Sequence, residues 1–204
     1  MPHKGAAATD RQRTVKPMLR GLARLILRVG GWTAVGEMPD VPKAVIIAAP
    51  HTSNWDGFWA LVYKVAIGAD LHFFAKHSLF WFPLSTVLRA LGAIELDRER
   101  AGSAVRHAID MFNEQDSFFF ALSPEGTRSK KRGWKTGFYR IAAGANVPIY
   151  LGFFDYKHKR LGIGQRFDLT GDQDADLRFF QDYYAGFEGR WPEKTTPVEF
   201  IDRS

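Results

Sequence analysis

The chain has 204 residues, 46% of them hydrophobic, and a formal net charge of +6. That length suits one compact domain with a real core, and the composition excludes an intrinsically disordered protein. Because the chain contains no cysteine, disulfides, thiol nucleophiles and zinc–cysteine sites are excluded.

The positive charge is concentrated at the start of the chain. Residues 1–30 carry seven basic side chains and the single acid Asp10, whereas residues 31–204 carry 21 basic and 21 acidic side chains. This distribution predicts a basic arm rather than a basic domain. Residues 1–16 are small, polar and charged, and we predict that they are disordered.

A basic amphipathic helix is predicted at residues 17–29, beginning at Pro17 and ending before Gly30 and Gly31. Its apolar face carries Met18, Leu19, Leu22, Leu25, Ile26 and Val29. The other side carries three arginines spaced by four residues, Arg20, Arg24 and Arg28. Such a helix suits an anionic membrane surface, so residues 17–31 are predicted to hold the protein at the cytoplasmic face of a membrane.

The alternative for this helix is simple packing on the domain, with its arginines in solvent. A spanning segment is not predicted, because no window of 18 apolar residues occurs in the sequence. The membrane interpretation is therefore one of a peripheral protein.

Short apolar strands alternate with helices along the rest of the chain. Strands are predicted at residues 44–49, 71–75, 93–96, 118–122 and 147–154. Helices are predicted at residues 55–65, 83–91, 103–113, 137–143 (closed by Gly144) and 177–187. This alternation predicts an α/β domain whose central sheet is mostly parallel or mixed and is flanked by helices.

Polar residues follow the first predicted strand directly, at the point where α/β sheets hold their sites. Asp56 lies five positions after His51, which would place the two about 140° apart within one ideal helix. They meet if His51 lies in the turn, Ser53 caps the helix and Asp56 is its third residue. The carboxylate then orients the imidazole as a general base. The alternative is a plain capping box of Ser53 and Asp56, with His51 an ordinary turn residue.

A second polar stretch follows the fourth predicted strand and delivers Glu125, Gly126 and Arg128. Forked guanidinium donors suit phosphate, and glycine allows a ligand to approach the backbone. The alternative is a solvated basic loop. Arg98 follows the third predicted strand and would bring a second arginine to the same sheet edge, unless it forms an exposed ion pair.

Several other chemistries lack their sequence signatures. The chain has no Gly-x-Ser-x-Gly elbow, no phosphate-binding P-loop and no Gly-x-Gly-x-x-Gly. Its six histidines show no metal-ligand spacing, so no metal site is predicted. The aromatic residues lie in apolar runs that suit core or acyl-chain packing better than base stacking, so no nucleic-acid partner is predicted.

Four sequence blocks in fixed order resemble the glycerolipid acyltransferase family, which includes the 1-acylglycerol-3-phosphate acyltransferases. The blocks are His-x-x-x-x-Asp at His51 and Asp56, Gly-x-Ile-x-x-x-Arg at residues 92–98, Pro-Glu-Gly-Thr-Arg-Ser at residues 124–129, and Val-Pro-Ile at residues 147–149. The third block is long and specific, and the shared order makes coincidence a poor explanation.

The resemblance implies one acyltransferase domain over residues 32–204. It implies direct acyl transfer from a CoA or acyl-carrier-protein thioester to the free hydroxyl of 1-acylglycerol 3-phosphate, giving phosphatidic acid without a bound cofactor. His51 is implied as the base, oriented by Asp56. The implied acceptor site consists of Arg98, Glu125, Gly126, Thr127 and Arg128. The implied partners are a lyso-phospholipid acceptor, an acyl thioester donor and an anionic membrane surface.

Two departures from the family pattern leave the acceptor open. Pro50 stands before His51 where many relatives have asparagine, and the sequence shows no N-terminal transmembrane segment. Another lyso-lipid or a hydroxylated lipid is therefore an alternative acceptor. The rival hypotheses of another class are a thioesterase-like or phosphohydrolase reaction at His51 and a catalytically silent membrane-binding module.

Overall fold

The computed structural model describes residues 17–96 and 101–201. The predicted disordered arm at residues 1–16 and the predicted site residue Arg98 lie outside these ranges.

Strands and helices alternate along the described chain, as the sequence predicts. The strands are β1 (Thr33–Val35), β2 (Lys43–Ala49), β3 (Leu71–Lys76), β4 (Ala93–Leu96), β5 (Phe118–Leu122), β6 (Ile149–Asp155) and β7 (Arg160–Phe167). The helices are α1 (Pro17–Val29), α2 (Asn54–Ile67), α3 (Leu84–Ala90), α4 (Ala101–Glu114), α5 (Gly137–Ala145) and α6 (Gln173–Tyr184). The predicted bounds of α1, β4 and β5 are those observed.

All of these strands join one sheet in the order β1-β7-β6-β2-β5-β3-β4. Neighbouring strands are parallel except β6 and β7, which pair antiparallel. The predicted α/β class with a mostly parallel sheet is therefore confirmed.

Strand β2 shows why the sequence of a central strand is a continuous apolar run. Val45 and Ile47 pack into the core cluster that α4, α5 and α6 cover, whereas Ala44 and Ile46 pack into the cluster beneath α1 and α2. Both faces of the strand are buried, so alternation between polar and apolar residues disappears.

The sequence pattern predicts neither β1 nor β7. Strand β7 contains Gly162, which lies so close to β1 that an added Cβ would stand 1.9 Å from the carbonyl oxygen of Val35. Glycine permits this approach but interrupts the side-chain pattern from which strands are recognised.

Helices α5 and α6 differ from their predicted bounds. Helix α5 continues through Gly144, and Asn146 ends it with a φ of 53° in the left-handed region. Helix α6 begins four residues earlier than predicted because the Asp172 side chain caps it, and it ends at Tyr184. A capping side chain, rather than the apolar pattern, decides where α6 starts.

Helix α1 packs on α2 through a contact that the sequence does not predict. Ala23 and Leu27 are its buried residues, while the predicted apolar face is exposed. Arg20 Nη2 and Arg24 Nε donate to the carbonyl oxygens of Ile67 and Ala66 at the end of α2, each at 3.2 Å. The alternative of a helix packed on the domain is therefore observed, with Arg20 half-buried against α2 and Arg24 in contact with α2 but still exposed. Within the described residues, no helix is long and apolar enough to cross a bilayer.

Candidate functional site

The carboxyl ends of β2, β5 and β6 bring three polar loops together. These strands are parallel neighbours, with Ile47 opposite Leu122 and Ala49 opposite Phe153. The chain leaves β2 through a cis Ala49–Pro50 bond and reaches His51. Because parallel strands end at one edge of the sheet, the residues that follow them form a common site.

His51 and Asp56 meet as the sequence predicts. The His51 Nδ1 atom lies 3.0 Å from Asp56 Oδ2, and the histidine side chain is 22% exposed. A carboxylate only accepts hydrogen bonds, so the proton of a neutral imidazole is held on Nδ1 and Nε2 is left as the basic nitrogen. Among the described residues, Nε2 has no protein partner.

Asp56 also forms the capping box that the sequence offered as an alternative. Ser53 is the N-cap of α2, and Asp56 Oδ2 accepts the backbone N–H groups of Thr52 and Ser53 at 2.8 Å. The same oxygen contacts the imidazole. The two interpretations therefore describe one arrangement, in which the cap fixes the carboxylate that orients His51.

The second oxygen of Asp56 has a partner that the sequence does not predict. The phenol of Tyr156, directly after β6, donates a 2.6 Å hydrogen bond to Asp56 Oδ1. Burial, together with the carboxylate beside it, raises the pKa of Tyr156 far above its ordinary value. The phenol therefore keeps its proton and remains a donor at every physiological pH.

The turn that presents Tyr156 is braced by a buried acid. Asp155 is fully buried and accepts hydrogen bonds of 2.8 Å from His158 Nδ1 and Arg160 Nη2. Burial alone would raise the pKa of Asp155, but these donors outweigh it and lower the pKa below its usual value. The ionised carboxylate thus holds the β6–β7 turn in place beside the site.

Glu125 lies underneath His51. Its side chain is 1% exposed, and Oε1 accepts the backbone N–H of His51 at 2.7 Å. Burial raises its pKa to about 7, although the His51 N–H and the Thr196 hydroxyl partly oppose that shift. Glu125 forms no ion pair with Arg128, whose guanidinium bonds to Asn54 instead. A contact between Glu125 and the acceptor stays a prediction.

The rest of the Pro-Glu-Gly-Thr-Arg block reaches the mouth of the site. Gly126 has a φ of 65°, a left-handed conformation that glycine adopts without strain. The half-buried Thr127 accepts the Ser129 backbone N–H through its hydroxyl at 3.4 Å. Arg128 is exposed and donates through Nη1 to Asn54 at the start of α2. The structure therefore brings Arg128 to the same helix end as Asp56, with its other guanidinium donors in solvent.

A C-terminal segment also packs on the His51 loop, and the sequence gives no signal for it. The backbone N–H of Trp191 donates to the Thr52 hydroxyl at 3.2 Å. The Arg190 guanidinium lies over the rings of Trp55 and Trp191, with its Cζ atom 5.6 and 5.5 Å from their centroids. A cation thus stands beside the exposed aromatic residue next to the candidate base.

Of the predicted site residues, the structure brings together His51, Asp56 and Glu125 in direct contact, with Gly126, Thr127 and Arg128 along one adjoining loop. Arg98 lies outside the described residues. Within residues 17–96 and 101–201, no group of three acidic or histidine side chains is arranged to hold a metal ion.

Comparisons with known proteins show the family of the chain and a similar fold. The sequence model of the Acyltransferase family matches residues 10–150. The fold is similar to the crystal structure of the 1-acyl-sn-glycerophosphate acyltransferase PlsC from Thermotoga maritima, with a TM-score of 0.58 and 20% identity, covering 83% of this chain and 76% of that chain. No curated protein sequence gives a significant match. Tyr156 and Arg190 lie beyond the residues that the family model matches.

Proposed function

This chain belongs to the Acyltransferase family, and we propose that it transfers a fatty acyl group from an acyl thioester to the free hydroxyl of 1-acylglycerol 3-phosphate, giving phosphatidic acid. The observation that carries the proposal is the 3.0 Å contact between His51 Nδ1 and Asp56 Oδ2 at the carboxyl edge of the sheet.

His51 serves as the general base in this proposal. As the acceptor hydroxyl attacks the thioester carbonyl, His51 Nε2 takes the hydroxyl proton and Asp56 stabilises the imidazolium that forms. The tetrahedral intermediate then collapses, the carbon–sulfur bond breaks and the proton passes to the leaving thiolate. Because the acceptor attacks directly, no acyl-enzyme forms, which is consistent with the absence of cysteine.

The acceptor's phosphate is assigned to Arg128. One of its nitrogens bonds to Asn54, and the remaining guanidinium donors are exposed at the mouth of the site. A forked guanidinium suits a phosphate better than a single ammonium does, because two parallel hydrogen bonds form at once. We extend this assignment to Gly126 and Thr127, whose loop leads from the buried Glu125 to Arg128, and to Arg98.

The acyl donor is a thioester of CoA or acyl carrier protein, and it acts as a co-substrate rather than as a bound cofactor. Trp55 and Phe58 are 49% and 43% exposed in the first part of α2, the helix that carries Asp56. Their rings lie edge to face, 5.6 Å apart, and offer apolar surface to an acyl chain.

Helix α1 is proposed to dock on an anionic membrane. Its outward face exposes six apolar side chains, and Met18 and Val29 are each 80% exposed. Half-immersing such a face would contribute on the order of 5 kcal/mol before ordering costs. A contiguous exposed apolar face is the usual mark of a membrane or partner contact, and a lipid substrate makes the membrane the fitting partner.

The test combines the purified chain with a labelled acyl thioester and a panel of lyso-lipid acceptors, with products identified by mass spectrometry. We expect labelled phosphatidic acid only when 1-acylglycerol 3-phosphate is present, and far less of it from a His51→Ala variant. Preferred acylation of another lyso-lipid or hydroxylated lipid would change the acceptor but not the chemistry. Release of free fatty acid without any acceptor would indicate a hydrolase, and no reaction with any pair would refute the proposal.

A further inference from the structure

A cavity of about 400 Å³ lies away from the His51 site, between α1, the residues after β1 and the end of α2. Arg20 and Arg24 of α1 form one wall, and Glu37 and Met38 form part of another. The carbonyl edge of α2 closes the cavity at Ile67. The catalytic proposal uses none of these residues.

The two arginines retain unused hydrogen-bond donors. One nitrogen of each donates to a carbonyl of α2, at 3.2 Å. Neither arginine forms an ion pair with an acid in the described chain. A guanidinium carries five N–H donors. Arg20 Nε is buried against Gly68 and has no partner among the described residues, so the donors that Arg20 offers to the cavity are those at the tip of its guanidinium.

The guanidinium of Arg20 is also held in place rather than free to swing away. Gly68 ends α2 with a φ of 73°, and an added Cβ there would stand 3.1 Å from Arg20 Cζ and Nε. The arginine therefore packs against the helix end, and its orientation is fixed by the α2 carbonyl that it contacts. Donors held in a fixed geometry bind an anion with less loss of side-chain entropy.

The local charges select the kind of anion. The two arginines contribute two positive charges, Glu37 contributes one negative charge, and the end of α2 contributes about half a negative charge. The small positive remainder suits the single charge of a phosphodiester better than the double charge of free phosphate. The glutamate also offers an acceptor for a hydroxyl or ammonium group on the same ligand.

The position of the cavity indicates the source of that phosphodiester. On the α1 helical wheel, Arg20 and Arg24 occupy the flank between the buried contact with α2 and the exposed apolar face. If the apolar face enters the acyl region of a leaflet, this flank lies at the level of the headgroups.

We propose that this cavity binds the phosphodiester headgroup of a membrane phospholipid through Arg20 and Arg24, separately from the acceptor at His51. The proposal rests on the proposed docking of α1 on a membrane. Helix α1 would then bind a lipid headgroup specifically, in addition to anchoring the protein through its apolar face.

The experiment measures binding of monomeric dihexanoylphosphatidylglycerol by the rise in thermal midpoint of the full chain. Arg24→Gln keeps a side-chain donor for the Ala66 carbonyl but removes the charge. Arg28→Gln is the matched control, since Arg28 is exposed on the same helix and does not line the cavity. We expect Arg24→Gln to weaken binding about tenfold or more, the loss typical of a charge-assisted hydrogen bond, and Arg28→Gln to change it little.

Equal losses in Arg24→Gln and Arg28→Gln would overturn the proposal, because they would indicate general attraction to the helix. Equal stabilisation of the wild type by inorganic phosphate would overturn the lipid assignment. If Arg24→Gln fails to fold, Arg20→Gln provides the same comparison. The readout does not need turnover, and His51→Ala should bind the lipid as the wild type does, so failure of the proposed acyl transfer would be seen separately.

Discussion

The phenol of Tyr156 donates a 2.6 Å hydrogen bond to Asp56 Oδ1, while Asp56 Oδ2 contacts the imidazole of His51. One carboxylate therefore joins a residue after β6 to the candidate base after β2. Thr52 and Ser53 add backbone donors to Oδ2. A carboxylate with four donors is fixed in position, so it can hold the imidazole in a single tautomer and orientation.

Replacing Tyr156 with Phe removes one donor to a charged group without changing the ring. A hydrogen bond of that kind contributes about 1.5–3 kcal/mol, so we expect kcat to fall about tenfold or more with little change in either KM. Tyr183→Phe is the matched control, because its phenol donates to the Leu151 carbonyl away from the site. The control should retain full turnover. If Tyr156→Phe also retains it, with unchanged pH dependence, Tyr156 does not position Asp56 for catalysis.

Replacing His51 should abolish most of the acyl-transfer activity and leave the fold intact. General-base assistance is worth roughly 10²–10⁴ in rate, so His51→Ala is expected to lose at least that lower factor. Asp56→Asn retains an oxygen that can cap α2 but loses the charge that stabilises the imidazolium, and at least a tenfold loss is expected. His107→Ala, an exposed histidine on α4, is the control. A folded His51→Ala variant with more than about a tenth of wild-type turnover would contradict the assignment.

Arg128→Lys keeps a positive charge but loses the paired guanidinium donors that can bind a phosphate through two parallel hydrogen bonds. We expect KM for a phosphate-bearing acceptor to rise about tenfold, with a smaller effect on the acyl donor. Arg132→Lys, also exposed in the same basic stretch, should behave as the wild type. Should the wild type use an acceptor without phosphate equally well, Arg128 is not a phosphate ligand.

Glu125 should make the folded state less stable as the pH rises. Burial raises its pKa from 4.5 to about 7, so the folded state binds the proton more tightly than the unfolded state does. The free energy of unfolding therefore falls as the pH rises between these two values, by about 3 kcal/mol at most. The Glu125 carboxyl causes no further change at higher pH. Glu125→Gln keeps an oxygen for the His51 N–H and removes the titration.

The measurement for Glu125 is urea unfolding of both proteins across that pH range. We expect the stability of Glu125→Gln relative to the wild type to increase from pH 5 to pH 7, as the wild-type carboxyl ionises. Parallel curves for the two proteins would show that Glu125 has an ordinary pKa. Titrations elsewhere in the chain affect both proteins alike and cancel in the difference.

The exposed face of α1 should contribute to membrane binding but not to folding. A triple change of Met18, Leu22 and Val29 to Ser removes apolar groups that are at least half exposed. At about 1 kcal/mol for each partly immersed side chain, vesicle binding should weaken on the order of a hundredfold, with the thermal midpoint unchanged. Ile201→Ser, which removes an exposed apolar side chain elsewhere, is the control. Unchanged sedimentation with anionic vesicles would rule out α1 as the anchor.

The sequence by itself determined the features that depend on neighbouring residues. The apolar run of β2, the Ser53 cap and the short spacing to Asp56 predict that His51 and Asp56 meet, and the structure places them 3.0 Å apart. The bounds of α1 follow from its periodicity and from the glycines after it. Periodicity and capping are local, so the chain carries them before any tertiary contact forms.

Only the tertiary structure decided which distant residues complete the site. Tyr156 is 100 residues from Asp56, Glu125 is 74 residues from His51, and Trp191 is 139 residues from Thr52. The first two contacts exist because β5 and β6 flank β2, and strand order is set by packing of the whole sheet rather than by any one segment. The same limit applies to α1, whose periodicity predicts two faces but not that Arg20 and Arg24 would contact the carbonyl end of α2.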